Sequence, residues 1–234
     1  MKKLICFDLD GTLTQHRSKL EEENKNLLDE LGKKYKLLMV GAGNAPRIYA
    51  QMNEYPIDIV GNYGMQESKI LNGKFTIVRE DVTKPDKEFF LKNIKYLREK
   101  YGYTEYKGDT VEFHSTGMVT FPLLGTKAEI ADKLAFDPNR EKRKVLYPEV
   151  LEIFKDYTVY IGGSSSFDFS GKEYNKYDAI MKYARENGYK NDEILYVGDD
   201  FGDGGGDSHV RLGGLDYVEV THYKRLNEKL SFLL

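Results

Sequence analysis

Short apolar runs that stop at Gly or Asp alternate along this chain with stretches of helical periodicity, the pattern of parallel strands joined by helices. Four runs are clearest: LICFD (4–8), KLLMVGAGN (36–44), DIVGNYG (58–64) and ILYVGDD (194–200). Between the first two, SKLEEENKNLLDELGKK puts Leu20, Leu27, Leu28 and Leu31 on one stripe, with Ser18 as the expected N-cap and Gly32 as the stop. That is one βαβ unit. In parallel sheets the loops beyond the carboxyl ends of the strands form the ligand crevice, so the polar ends of the four runs are expected to converge on one site.

The middle of the chain has a different rhythm. TKPDKEFFLKNIKYLREKYG (83–102) is a helix pattern, TVEFHSTGMVTFPL (110–123) alternates like an antiparallel hairpin, EVLEIFKD is helical, and YTVYIGGSSSFDFS returns to strand. The expected fold class is therefore α/β: a Rossmann-like parallel-sheet core, residues 1–81 and 171–234, carrying an inserted α+β cap domain, residues 82–170.

Composition narrows the function classes. The formal net charge of -3 gives no reason to expect a nucleic acid or an anionic membrane as partner. The densest basic run, REKRK at 140–144, reads as a solvated helix face or loop. The one cysteine, Cys6, lies inside LICF and is expected to be a buried core thiol. No signal-peptide pattern or run of 18 apolar residues is visible, so a cytoplasmic location is expected.

Acids at the strand ends carry the chemistry. Asp8 and Asp10 close the first run, and GDDFGDGGGD (198–207) offers Asp199, Asp200, Asp203 and Asp207 within one loop. Carboxylates this close repel one another unless a cation intervenes, and an all-oxygen set of this kind suits Mg2+. The expected metal ligands are Asp8, Asp10 through its main-chain carbonyl, and Asp199, joined by Asp203 or Asp207. The DGT step turns backbone N–H groups toward the strand end, where they can hold phosphate oxygens. Lys176, just before a helix pattern, neutralises both the aspartates and a bound phosphate if it reaches them. NYG at 62–64 reads equally as a substrate-side loop or as an ordinary glycine turn.

DLDGT at 8–12, VGAGN at 40–44, Lys176 and GDDFGD at 198–203 occur in the order of the four motifs of the haloacid dehalogenase superfamily of phosphotransferases, and the chain resembles that family. The resemblance implies that Asp8 is a nucleophile that becomes an aspartyl-phosphate, and that Asp10 is the general acid and base. DGTLTQHRSKL, IGGSSSFDFSGKEYNK (161–176) and GDDFGDGGGDSHV (198–210) look like its eukaryotic-type phosphomannomutase branch. By that similarity Arg17, Ser166, Asp168 and Lys176 line a sugar-phosphate site, and the insert is a cap over the substrate.

Three departures matter. Where the family's second motif has Ser or Thr to bind the transferring phosphoryl group, this chain has Gly43, so Asn44 or backbone N–H groups must replace the hydroxyl. Gly206 stands where the branch has an asparagine near the metal. The branch grips the non-transferring phosphate with several cap arginines, whereas EFHSTGMVTFPLLGTKAEIADKL (112–134) contains none, leaving His114, Lys127 and Lys133 as substitutes. A mutase must retain a bisphosphorylated intermediate, so the leading expectation is a Mg2+-dependent phosphatase of hexose phosphates. The alternative is a hexose phosphomutase with a rebuilt cap, and a third reading is a phospho-ligand binding protein without turnover. The expected partner is a small-molecule sugar phosphate; the sequence does not set the oligomeric state.

Overall fold

The computed structural model describes residues 1–234. In chain order the elements are β1 Leu4–Phe7, α1 Glu22–Gly32, β2 Lys36–Val40, α2 Ala45–Gln51, β3 Asp58–Gly61, β4 Gln66–Leu71 and β5 Lys74–Glu80. There follow α3 Lys87–Tyr101, β6 Glu112–Phe113, β7 Val119–Pro122, α4 Ile130–Phe136, α5 Glu141–Ile153, β8 Tyr157–Tyr160 and β9 Ser166–Gly171. The chain closes with α6 Lys176–Glu186, β10 Ile194–Gly198, α7 Ser208–Leu212, β11 Tyr217–Glu219 and α8 Leu226–Leu230. Two compact units result, one of residues 1–81, 174–203 and 207–234, the other of residues 82–173 and 204–206.

The first unit is built on a seven-stranded sheet in the order β11-β10-β1-β2-β3-β4-β5. β11, β10, β1, β2 and β3 run parallel, and β4 and β5 add an antiparallel hairpin at one edge. β1 is central and buried on both faces, which is why LICF is apolar without alternation. Ile5 and Phe7 pack under the leucines of α1 and the α2 residue Ile48, while Leu4 and Cys6 pack against Ala179, Ile180 and Tyr183 of α6. Burial raises the Cys6 thiol far above its usual pKa, so it stays a neutral core group.

Two local expectations are corrected. Ser18 is not the N-cap of α1; its hydroxyl donates to the Gln15 carbonyl, and the helix begins at Glu22. The reason is tertiary: the Leu20 N–H donates to the Gln51 carbonyl, holding this stretch out of the helix. The β4–β5 hairpin was not anticipated, although its turn, Asn72-Gly73, carries the left-handed backbone at both positions (φ 51° and 74°) that favours this dipeptide.

The second unit has a four-stranded antiparallel sheet in the order β6-β7-β9-β8. Its core is aromatic: Phe90 of α3 stacks on Phe154 at 4.9 Å, and Phe121, Phe167 and Phe169 of the sheet join the same cluster. The basic run 140–144 is corrected here. Arg143, at the start of α5, is 1% exposed and ion-paired to Asp137 at 2.9 Å, and it also donates to the carbonyls of Gly162 (2.8 Å) and Gly163 (3.0 Å). A buried guanidinium is tolerated because these acceptors were brought to it from the loop between β8 and β9.

Candidate active site

The carboxyl ends of β1, β2 and β10 lie side by side, with Phe7 in register with Met39 on one flank and Val197 on the other. Residues just past those ends are therefore neighbours. Carboxylate oxygens of Asp8, Asp199 and Asp207 come within 4.8 Å of one another. Lys176, at the first position of α6, donates to Asp8 Oδ1 at 2.6 Å and to Asp207 Oδ1 at 2.7 Å, and it is 3% exposed. Asn175 caps that helix by accepting from the Asp178 N–H, which fixes where the lysine emerges.

Asp207 is wholly occupied. Its Oδ1 accepts from Lys176 and from the Tyr196 hydroxyl (2.6 Å), and its Oδ2 accepts from the N–H groups of Asp199 (3.1 Å) and Asp200 (3.0 Å). Burial pushes its pKa up, but Lys176 and these donors outweigh it and hold the carboxyl below its usual range. Asp207 thus orders the loop after β10 and anchors the lysine. The same lysine stays cationic, because the charges of Asp207 and Asp8 overcome the effect of its burial.

Asp8 and Asp199 are in the opposite condition. Burial, then the charges of Asp207 and Asp199, push Asp8 well above the usual carboxylate range against the pull of Lys176. Burial and Asp207 raise Asp199 to about 6. Thr12 donates to Asp199 Oδ1 at 3.0 Å, and no hydrogen bond reaches Oδ2 of either aspartate. Gly11 makes the approach possible: its φ is 99°, and a Cβ there would lie 2.7 Å from the Asp199 carboxyl carbon. Three carboxylates against one ammonium leave a surplus of negative charge, with one oxygen of Asp8 and one of Asp199 uncommitted. That donor set fits a hard divalent cation such as Mg2+.

Asp10 is set apart from this cluster by different partners. Its Oδ1 accepts from the Gln51 side-chain amide at 2.7 Å and from the Arg17 N–H at 2.8 Å, and Arg47 approaches Oδ2 at 3.4 Å. Burial favours the neutral acid, but Arg47, the Arg17 N–H and Gln51 prevail and hold the carboxyl below its usual range. Arg17 meets Asp10 through its backbone, in a left-handed conformation (φ 58°), with its side chain exposed.

Asp203 is corrected as a candidate ligand. Its side chain is 99% exposed and faces Arg211 at 3.5 Å, because the turn of Gly202 and Gly204 carries it away from the strand end. Asn44 is also engaged: it caps α2, its side chain accepting from the Arg47 N–H at 2.8 Å. Its neighbour Gly43 lies in a loop held from the β3 side, where the Asn62 N–H donates to the Gly43 carbonyl at 2.8 Å and the Tyr63 N–H to the Gly41 carbonyl at 3.2 Å. NYG is accordingly a buried turn, left-handed at all three residues, that braces the loop after β2.

In the second unit His114, Thr120 and Asp168 form a chain across β7 and β9. The Thr120 hydroxyl donates to Asp168 Oδ1 at 2.7 Å, and His114 Nε2 lies 3.0 Å from the same hydroxyl oxygen. Because the threonine proton is given to Asp168, the network assigns the histidine proton to Nε2. Ser166 donates to the Gly162 carbonyl at 3.1 Å and shapes its own loop.

Sequence reasoning missed Tyr196, Gln51, Thr12 and Arg47. Tyr196 was hidden as an ordinary strand aromatic, and only the alternation of β10 could have pointed it at the loop.

Phosphomannomutase 2 of Dictyostelium discoideum is 26% identical over 242 residues, spanning 98% of this chain and 91% of that protein. The phosphomannomutase of Encephalitozoon cuniculi is 22% identical over 220 residues, spanning 89% and 84%. Among solved structures, an IMP-bound IMP-nucleotidase mutant of Plasmodium falciparum superposes with a TM-score of 0.71 at 15% identity, covering 99% of this chain and 68% of the other. A phosphatase of the haloalkanoate superfamily from Bacteroides thetaiotaomicron gives a TM-score of 0.64 at 14% identity, covering 100% and 95%. The profile described as haloacid dehalogenase-like hydrolase matches residues 5–204, and with three acids from two strand ends gathered around one lysine, this chain belongs to that family.

Proposed function

We propose that this protein is a Mg2+-dependent phosphatase of hexose phosphates. Asp8 attacks phosphorus through its carboxylate; a P–O bond forms to Asp8 and the P–O bond to the sugar breaks. Asp10 gives its proton to the departing sugar oxygen, then takes one from the water that releases phosphate from Asp8. Gln51, the Arg17 N–H and Arg47 favour the Asp10 carboxylate, which suits the base step; for the acid step Asp10 takes up a proton from solvent as the substrate phosphate binds. Lys176 keeps Asp8 aimed and lowers the cost of bringing a phosphate dianion beside three carboxylates. Asp8, Asp199 and the Asp10 carbonyl would hold Mg2+, which when bound offsets negative charge on the phosphoryl oxygens.

The observation that favours hydrolysis over phosphate migration concerns the arginines of residues 82–173. No arginine occurs in 112–134. The buried pair is spent on structure: Arg143 on Asp137 and two carbonyls, and Arg98 on the carbonyls of Tyr103, Leu123 and Pro122. A bisphosphate intermediate held at its far end by His114 or a lysine lacks the paired donors of a guanidinium. The likeness to phosphomannomutases supports the second reading, a hexose phosphomutase.

One assay separates them. Hexose 1- and 6-phosphates are incubated with Mg2+, with and without hexose 1,6-bisphosphate. Phosphate release faster than isomerisation, with the bisphosphate itself hydrolysed, is expected; the reverse ratio establishes the mutase.

A further inference from the structure

The loop after β2 contains a substitution of one chemistry for another. Gly43 has no side chain, and the space is not empty: a Cβ built there would lie 2.7 Å from Cζ of Arg47 and closer still to its Nη2. Arg47, one helical turn on, folds back over Gly43 so that its guanidinium stands where a residue with a side chain would project its own. We propose that Arg47 is the phosphate-binding side chain of this loop and that Gly43 is a glycine in order to admit it. This inference rests on the phosphoryl-transfer reading of the site.

Four observations carry it. The first is that the backbone donors of the helix start in the same turn are spent. The Ala45 N–H donates to Gln66 Oε1 at 2.9 Å, Pro46 has no N–H, and the Arg47 N–H is taken by Asn44 Oδ1. Asn44 Oδ1 therefore serves the helix, and the first three positions of α2 offer no backbone donor to a ligand.

The second is the state of the guanidinium. Its single side-chain hydrogen-bond partner is Asp10 Oδ2 at 3.4 Å, long for an ion pair, and the side chain is 41% exposed. Buried Arg143 and Arg98, by contrast, are each held by several acceptors. Arg47 keeps donors to spare.

The third is place. Asp10 is the carboxylate assigned to the departing oxygen, and β1 and β2 are adjacent parallel strands with Phe7 opposite Met39. A guanidinium that reaches Asp10 from the β2 side can present its remaining N–H groups to phosphoryl oxygens held between those two strand ends. The last is rigidity. The Gly43 carbonyl is held by the Asn62 N–H at 2.8 Å, and a Cβ on Gly61 would lie 2.8 Å from the same carbonyl, so the loop under Arg47 is packed in place.

Inorganic phosphate titrated into the full chain in millimolar Mg2+, followed by calorimetry, tests the assignment without needing turnover. Arg47→Ala is expected to weaken phosphate binding about 10- to 100-fold, the span expected from one or two charge-assisted hydrogen bonds, and Arg47→Lys to regain part of it. Gly43→Ala should weaken binding in the parent chain by displacing the guanidinium, and should cost nothing further in Arg47→Ala. Circular dichroism and the thermal midpoint confirm that each variant is folded. Equal phosphate affinity in parent and Arg47→Ala overturns the proposal, as does a parent that binds no phosphate at millimolar concentration. A Gly43→Ala cost that persists without the arginine overturns the part assigned to Gly43. Phosphate binding with the expected Arg47 effect, but no hydrolysis or isomerisation of any hexose phosphate, overturns the proposed function and leaves this inference standing.

Discussion

The two units bury charge in opposite ways. In the sheet-end cluster, three carboxylates share one ammonium, and burial together with that surplus of negative charge raises Asp8 and Asp199 above the usual carboxylate range. In the second unit, Asp137 and Arg143 are paired one to one, and Asp137 lies below its usual range because Arg143 and two helix N–H groups outweigh its burial. A balanced buried pair serves the fold. An unbalanced cluster is a cost to the fold that only a ligand relieves, and for that reason the first is read as a site and the second as a strut. The same contrast separates Arg47, with one long contact, from Arg143.

The largest effect expected from breaking this contrast is in Asp8→Asn. Turnover of any phosphorylated substrate should fall to background, since the amide is neither a nucleophile nor an anionic ligand. Stability should move the other way. Asp8 has a raised folded-state pKa, so its contribution is present at low pH and lost as pH rises; removing the charge should leave the metal-free thermal midpoint at pH 8 equal to or above that of the parent. A marked fall in that midpoint would show that the cluster is structural.

Asp10→Asn is expected to slow turnover by roughly 10²- to 10⁴-fold while leaving Mg2+ binding through the main-chain carbonyl intact. Steady-state kinetics paired with Mg2+ titration checks both halves. Loss of metal binding with a small rate effect would move Asp10 from proton transfer to metal holding.

Much of this was legible because short spacings carry it. LICF stops where β1 stops, and Asp8, Lys176, Asp199 and Asp207 were named from motifs whose local geometry is set by neighbouring residues. What was illegible depends on contacts across the fold. Arg143 looked like one charge in a solvated run, yet Asp137, six residues earlier, and carbonyls near 162 make its burial tolerable. Arg47 gave no signal, since its meaning lies in the missing Cβ of Gly43 one helical turn away. Asp203 and Asp207 sit in one glycine-rich loop, and composition cannot say which turns inward. The Asn72-Gly73 hairpin is marked by its dipeptide alone, a local signal that the alternation of apolar runs and helices does not carry.

The strut should break by a predictable amount. Asp137→Ala removes the partner of a guanidinium that is 1% exposed and also the acceptor for the N–H groups of Lys142 and Arg143 at the start of α5. A loss of about 3–5 kcal/mol in unfolding free energy is expected from denaturant titration, the range for a buried pair deprived of one member. A loss under about 1 kcal/mol would mean that the Gly162 and Gly163 carbonyls around Arg143 suffice, and the distinction between strut and site would lose its energetic basis.

The smallest effect expected is a pH dependence at the cluster, and its sign follows from Asp199. With a folded-state pKa of about 6 against an ordinary value near 4, this group is protonated more readily in the folded chain than in the unfolded one. Its contribution to metal-free stability is therefore full below about pH 4 and is lost as pH rises through 6. Mg2+ takes the deprotonated carboxylate, so binding must displace a proton below that pKa and needs none above it. From pH 5 to pH 7 the deprotonated fraction of Asp199 rises from about one in eleven to about ten in eleven, so this group alone should raise Mg2+ affinity roughly tenfold. Calorimetry in two buffers of different ionisation enthalpy should show more proton release at pH 5 than at pH 8, and the difference between parent and Asp199→Asn should be close to one proton at pH 5 and almost none at pH 8. Asp199→Asn should remove that tenfold share of the rise. An affinity that does not change between pH 5 and 7 would place the cation elsewhere and leave the surplus charge of the sheet end without its ligand.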